Sequence, residues 1–243
     1  MKKKNLNVGK KLRVSRHWKF SEKVSKHFDE HVNQSIPAYL EMQKYMASIS
    51  QFFIRDNQII YDLGCSTGQT IEKILENTPK EIKFKIIGVD NQNQMLKLAK
   101  KRFKIIDLKK KVKFVNKDIS KIKLKKTNLV IGCLLFNFLL KSQQDKLLKE
   151  IFRKLNRGGA LILVDKVFSN HAQQQTIFDQ LYSDFKLKKK LSPSAIINKQ
   201  ISLRSSMNLF KSDDNFKNLK KIGFSKVDIF YKWFNFVGTI AIK

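Results

Sequence analysis

The stretch Ile59-Ile60-Tyr61-Asp62-Leu63-Gly64-Cys65-Ser66-Thr67-Gly68 decides how this chain is read. A short β-favouring apolar run closes around an acid, and a turn bracketed by two glycines opens before a helical pattern. Glycine supplies the left-handed backbone that a tight strand-to-helix turn needs, and it lets a ligand come close to the chain. The N–H groups of such a turn, and of the helix start behind it, are free to hold an anionic group. A nucleotide-type cofactor fits that description. The spacing Gly64-x-x-x-Gly68 is not the Gly-x-Gly-x-x-Gly of dinucleotide binders, whose middle glycine admits a pyrophosphate.

Two further strand ends point the same way. The run Phe84 to Val89 ends at Asp90-Asn91, and the run Val112 to Val115 is followed by Asp118-Ile119. An acid closing the second strand can accept from both ribose hydroxyls of an adenosine cofactor, and an acid or backbone amide after the third suits the adenine edge. One such acid alone is an ordinary loop carboxylate or helix cap. Three successive strand ends opening on one crevice form a pattern, and that pattern resembles the S-adenosylmethionine (SAM) methyltransferases of the Rossmann-like kind. The resemblance implies SAM as cofactor.

Working outward, apolar runs alternate with helical patterns. Strands are expected at Ile59 to Leu63, Phe84 to Val89, Val112 to Val115, Leu129 to Cys133 and Ala160 to Val164. Helices are expected at Phe20 to Val32, Ala38 to Ile49, Thr70 to Asn77, Asn93 to Phe103 and Gln143 to Leu155. The last of these should stop at Gly158-Gly159. Further helices follow at Ala172 to Lys188, from Ser192-Pro193, and at Asp213 to Lys221; two strands, Lys226 to Tyr231 and Phe234 to Ile242, close the chain across a link at Lys232-Trp233. The alternation predicts an α/β class, Rossmann-like fold: a seven-stranded, mostly parallel sheet with an antiparallel last strand and a helical N-terminal lid. Residues 1–16 read as a basic flexible tail and 17–243 as one domain, with a lid over 17–52 and a helical insertion over 172–210 near the substrate side.

The 243 residues, 42% of them apolar, suffice for one well-buried core. Cys65 and Cys133 make neither a metal spacing nor a disulfide framework, so a reducing, cytoplasmic setting is expected. No apolar run is long enough to span a membrane. The net charge of +30 predicts attraction to polyanions, tRNA or other RNA included. Against that, the excess is mostly Lys spread along the chain, as an AT-rich genome also produces, and Arg, the better phosphate fork, is scarce. Lys186-Leu187-Lys188-Lys189-Lys190 reads either as a phosphate patch or as a solvated helix end. The four histidines imply no metal site; His27 and His31 share a helix face and are expected to be exposed.

A narrower resemblance covers nearly the whole chain. Trp18-Lys19-Phe20, Ser35-Ile36-Pro37-Ala38-Tyr39, Tyr61-Asp62-Leu63-Gly64-Cys65-Ser66, Leu155-Asn156-Arg157-Gly158-Gly159-Ala160-Leu161, Asp184-Phe185-Lys186 and Phe234-Asn235-Phe236 resemble the carboxy-SAM synthases. Those methyltransferase-fold enzymes use SAM and prephenate, capture the released carbon dioxide on the activated methyl carbon, and feed wobble-uridine modification in tRNA. The resemblance implies cofactor contacts at Tyr39, Gly64, Cys65, Ser66, Asp90, Asn91, Asp118 and Ile119. Asp62 and Gly68 join them from the strand-end reading, and Cys133 stands where the family has an Asn. Where the family has an Arg that pairs with the added carboxylate, Gln200 stands here, beside a matching Lys199. A neutral amide lacks the charge and the bidentate fork, and such a loss in a desolvated site costs about 2 to 5 kcal/mol. Arg204, one helical turn on, is a candidate replacement.

Three functions follow. The first is a SAM-dependent methyltransferase with an unknown acceptor, linked through its relatives to tRNA modification; methyl transfer asks the protein mainly to position an acceptor and exclude water. Gly132-Cys133-Leu134-Leu135-Phe136-Asn137 replaces the Asn/Asp-Pro-Pro-aromatic turn of amine methylases, which disfavours exocyclic base amines. The second is a working carboxy-SAM synthase in which Lys199 or Arg204 substitutes for the missing Arg. The third is a noncatalytic SAM- or RNA-binding scaffold. Cys133, Gln200 and Arg204 are the catalytic candidates. Apolar positions on the lid and insertion helices also suit a homodimer interface.

Overall fold

The computed structural model describes residues 28–105, 111–204 and 206–243. The expected tail over 1–16, and the part of the first helix before Phe28, lie outside the described residues. Seven strands form one sheet: β1 (Gln58–Leu63), β2 (Phe84–Asp90), β3 (Val112–Asn116), β4 (Thr127–Cys133), β5 (Leu155–Lys166), β6 (Lys226–Trp233) and β7 (Phe236–Ile242). Their order is β3-β2-β1-β4-β5-β7-β6. The first five strands run parallel, and β7 lies antiparallel between β5 and β6. The order reverses beside β1, so the ends of β1, β2 and β4 open on a common crevice, the position where open α/β sheets take ligands.

Eight helices accompany the sheet among the described residues: α1 (Phe28–Ser35), α2 (Tyr39–Ser50), α3 (Gln69–Asn77), α4 (Asn93–Ile105), α5 (Lys141–Lys154), α6 (Ala172–Lys188), α7 (Pro193–Arg204) and α8 (Ser212–Ile222). Side chains alternate across the sheet with period two, which feeds two separate cores. Ile60, Ile131, Ile162 and Val164 pack with Met42 and Met46 of α2, Ile71 and Ile74 of α3, and Tyr182 of α6. Leu63, Val130, Leu161 and Leu163 pack with Leu147 and Ile151 of α5 and Leu219 of α8. Because both faces are covered, the central strands read as unbroken apolar runs. Among the described residues, no helix is long and apolar enough to cross a membrane.

Two local expectations are corrected. The glycines at 158 and 159 do not end α5, which stops at Lys154; Leu155 already pairs with Thr127, and the register shifts before Ala160 meets Leu129. These glycines belong to the irregular start of β5. Gly158 is left-handed (φ 76°), and Gly159 presses so closely on the Asn128 backbone that a Cβ would meet its carbonyl at 2.9 Å. The β6–β7 link is Phe234-Asn235, because Lys232 and Trp233 are already paired with Val237 and Phe236; Phe234 takes the left-handed turn conformation.

Candidate functional site

The turn after β1 uses three left-handed residues in five: Gly64 (φ 72°), Ser66 (48°) and Gly68 (81°). Gly64 and Cys65 both donate their N–H to the carbonyl of Val89, at 2.8 and 3.1 Å, which ties the turn to the end of β2. Space enforces the glycines as strongly as conformation does. A Cβ on Gly64 would lie 2.9 Å from Leu135 Cδ1, and one on Gly68 would lie 2.9 Å from Phe103 Cε2. Asp90, at the end of β2, accepts from Ser66 N–H (2.9 Å) and Gln92 N–H (2.8 Å), so its carboxylate clamps the turn from the neighbouring strand. Burial raises its pKa despite those backbone donors.

Helix α1 is fastened to the same turn. Thr67 Oγ1 donates to Asp29 (2.6 Å), and Arg102 of α4 pairs with Asp29, donates to the Thr67 carbonyl (3.1 Å) and lies near Glu72 (3.7 Å). The first helix, the glycine turn, α3 and α4 are thus joined by one ionic knot.

Beyond the turn, the strand ends carry an unusual density of buried acids. Asp62 is 1% exposed and its Oδ2 has no hydrogen-bond partner among the described residues. Burial, with the neighbouring Asp90, pushes its pKa up to about 8. Asp165, near the end of β5, is raised to about 7 by burial, and its Oδ1 is also unpartnered. Cys133 at the end of β4 accepts a long contact from Gln43 Nε2 (3.7 Å). Burial, then Asp62 and Asp165, hold its thiol well above the usual range, so it is a neutral thiol and not the thiolate a nucleophile requires. Tyr39 is buried, its hydroxyl pushed up by burial and then by the nearby Cys133 and Asp29. Gln43 Oε1 and Ser66 Oγ are further buried polar atoms here without hydrogen-bond partners among the described residues. Orphaned buried acceptors cost free energy unless a ligand satisfies them, and acids here complement a cation. The set therefore fits a cofactor carrying a sulfonium and an ammonium group.

Asp62 gives a pH prediction. Its folded pKa lies above the ordinary carboxylate value, so the folded chain keeps a proton that the unfolded chain releases. Its contribution to stability is complete below about pH 4 and is lost as the pH rises towards 8. In thermal unfolding of the ligand-free protein across that window, Asp62→Asn should show a shallower fall than the parent chain. An equally steep fall would remove Asp62 as the titrating group. Asp165 acts in the same direction, so the slope should diminish without vanishing.

The other expected residues fall at varied positions. Asn91 is exposed, and its side chain accepts from Gln92 Nε2 (2.8 Å). Asp118 is exposed and caps a short 3-10 turn, accepting from the N–H and hydroxyl of Ser120 (2.9 and 2.8 Å); those bonds hold its carboxyl below the ordinary value. Ile119 beside it is buried. Lys117 N–H donates to the Asp90 carbonyl (3.0 Å), which joins the end of β3 to the end of β2.

On α7 the candidates Gln200 and Arg204 are both exposed, while Lys199 is half-buried, with Nζ 2.6 Å from His31 Nε2 of α1. His31 is therefore buried, contrary to the expectation of exposure. Burial, then Lys199 and Lys186, lower its pKa to about 3, so it is neutral. Burial and Lys166 bring Lys199 down to about 7. Gln43 and Asp165 were missed from sequence, yet each carried a signal: Gln43 is one helical turn from Tyr39, and Asp165 follows an apolar strand as Asp90 does.

The sheet order and the strand-end turn define a transferase of the SAM-dependent methyltransferase fold, and the family model described as "Methyltransferase domain" matches residues 60–159. Similar solved structures include an O-methyltransferase family protein from Burkholderia thailandensis (TM-score 0.68, 13% identity, 92% of this chain and 60% of that one). Human N-acetylserotonin methyltransferase in complex with SAM is another (TM-score 0.63, 16% identity, 92% and 56%). The chain spans roughly three fifths of the length of these two, and at such identity they bear on fold alone. The carboxy-S-adenosyl-L-methionine synthase of Staphylococcus epidermidis is 33% identical over 227 residues, 93% of this chain and 97% of that protein. That of Methylococcus capsulatus is 30% identical over 225 residues, 92% and 93%. The chain belongs to the carboxy-S-adenosyl-L-methionine synthase family, and its cofactor is SAM or carboxy-SAM.

Proposed function

We propose that the protein is a carboxy-SAM synthase. Prephenate loses its ring carboxyl as carbon dioxide and its ring hydroxyl as hydroxide, becoming phenylpyruvate; the hydroxide takes a proton from the SAM methyl to form water, and the resulting methylene carbanion bonds the carbon dioxide. The observation that carries this reading is Lys199: α7 turns it inward against the lid helix, while Gln200 faces out. An ammonium there supplies the charge that the neutral amide at 200 lacks, although not the planar fork of an Arg. That preference reverses the ranking drawn from sequence alone, which put methyl transfer first. In this reading the glycine turn at Gly64, Cys65, Ser66 and Gly68 takes the cofactor close against the backbone. Asp90 accepts from the ribose, Asn91, Asp118 and Ile119 frame the adenine, and Tyr39, Asp62, Gln43 and Cys133 surround the charged end. Bound SAM supplies the activated methyl; the chain orients it, excludes water and holds the incoming carboxylate.

Incubation with SAM and prephenate, read by mass spectrometry, should yield carboxy-SAM. Its absence, with SAM still bound, would sink this reading in favour of methyl transfer to another acceptor, which the exposed, uncharged Gln200 favours. By family resemblance, the product would feed tRNA modification in the cytoplasm. Exposed Leu40, Tyr45 and Phe52 at the lid, with Ile197 and Ile201 on α7, suit a second copy of the chain. Light scattering that shows a monomer would reject the dimer, and equal affinity for tRNA and an unrelated duplex as salt rises would reject specific RNA binding.

A further inference from the structure

We infer that Lys166 and Lys186, drawn together over the ring of Tyr182, form an anion site that receives a carboxylate of a small dianionic co-substrate. Lys166 is the last residue of β5, directly after Asp165, and Lys186 lies in the last turn of α6. Their amines stand 4.9 and 3.5 Å from the centroid of the same Tyr182 ring. Lys186 is 4% exposed, whereas Lys188, Lys189 and Lys190 of the same run face solvent. The run is therefore neither a uniform surface patch nor a solvated helix end.

The cost of this arrangement is what calls for a ligand. Among the described residues, neither amine has a carboxylate at ion-pair distance. Asp179, whose charge favours protonation of both, is exposed and already accepts from Gln175 (2.9 Å) and Asn235 (3.3 Å). Burial, then repulsion from Lys166 and Lys199, lowers Lys186 to about 7. Clustering desolvated cations costs stability unless an anion compensates, and a single aromatic ring offsets only a small part of that cost.

The placement is also rigid. Lys166 exchanges two backbone hydrogen bonds with the Asn137 side chain (2.8 and 2.9 Å), and the Tyr182 hydroxyl donates to the Ser35 carbonyl (2.8 Å). The site adjoins the buried acid end of the sheet, where the field of Asp165 already reaches Cys133. One carboxylate of a dianion can meet Lys199 and the other can meet the Lys166–Lys186 pair. The identity of the dianion as prephenate rests on the carboxylation reading; the cationic cluster does not.

The test is calorimetric titration of prephenate into the SAM-saturated full chain. Lys166→Met and Lys186→Met should each weaken prephenate by about tenfold or more, with SAM affinity within about twofold, and exposed Lys188→Met should change neither. Both substitutions remove a buried charge, so thermal unfolding should show folded variants. Unchanged prephenate affinity in both variants overturns the site. Carboxy-SAM production with unaltered KM for prephenate in both overturns it too, while leaving the proposed reaction standing. Lysine-dependent prephenate binding without carboxy-SAM production leaves the site standing and removes the reaction. Inorganic phosphate that binds tighter than prephenate, with the same lysine dependence, would replace the dicarboxylate by a phosphate ligand and overturn the assignment.

Discussion

Asp90→Ala should weaken SAM binding by about 100-fold or more, roughly 2.7 kcal/mol, because several charge-assisted contacts are lost together. The carboxylate accepts from Ser66 N–H and Gln92 N–H, so removing it leaves one donor of the turn and one just before α4 unsatisfied before any cofactor is considered. Each unsatisfied buried group costs about 1 to 3 kcal/mol, and the glycine turn loosens from β2. In the proposed cofactor site the ribose hydroxyls would lose their charged acceptor as well. Asn is no conservative replacement, since one of its two arms would turn a donor towards a donor. Calorimetry with SAM, alongside circular dichroism to confirm folding, reads the outcome, and parent-like affinity in a folded variant would withdraw Asp90 from the ribose role.

Gly64→Ala should lower the melting temperature and SAM affinity together. The left-handed backbone at φ 72° costs an L residue about 1 to 2 kcal/mol. The new Cβ would also crowd Leu135 Cδ1 at 2.9 Å, where overpacking adds about 1 to 3 kcal/mol unless that side chain moves aside. At about 2 to 4 °C per kcal/mol for a chain of this size, a drop of roughly 4 to 20 °C is expected by scanning fluorimetry. Gly158→Ala is the control: it is equally left-handed (φ 76°), but nothing lies within 4 Å of its Cβ position, so it should lose only the backbone part. Equal losses at the two sites would show that crowding by Leu135 contributes nothing.

The parallel core of the sheet was legible because its signals are local. Apolar runs such as Ile59 to Leu63 and Ala160 to Val164 end at acids or glycines within a few residues, and a sheet covered on both faces needs just that pattern. The frame of the candidate site was legible to the same depth: the turn holding Gly64 and Ser66 is tied to the end of β2 at Val89 and Asp90, and the acids closing successive apolar runs signalled that the strand ends meet. Residues whose surroundings are set by distant segments were not legible. His31 is buried because α7 brings Lys199 to it across 168 positions, and no periodicity in α1 foretells that. Lys186 was hidden inside a run whose other lysines are solvated, in a chain where basic residues occur everywhere. Gly158 and Gly159 were misread because a glycine pair after a helix is the usual stop; here it serves the approach of β5 to the Asn128 backbone.

The knot of Asp29, Thr67 and Arg102 makes the mouth of the crevice sensitive to the medium. Its charges are only partly sheltered, so dissolved ions weaken them, and the helix at 28–35 then parts more readily from the loop beneath. Brine should therefore hasten exchange of the bound nucleoside with bulk, a dependence that belongs to this ionic contact and not to the chemistry below it.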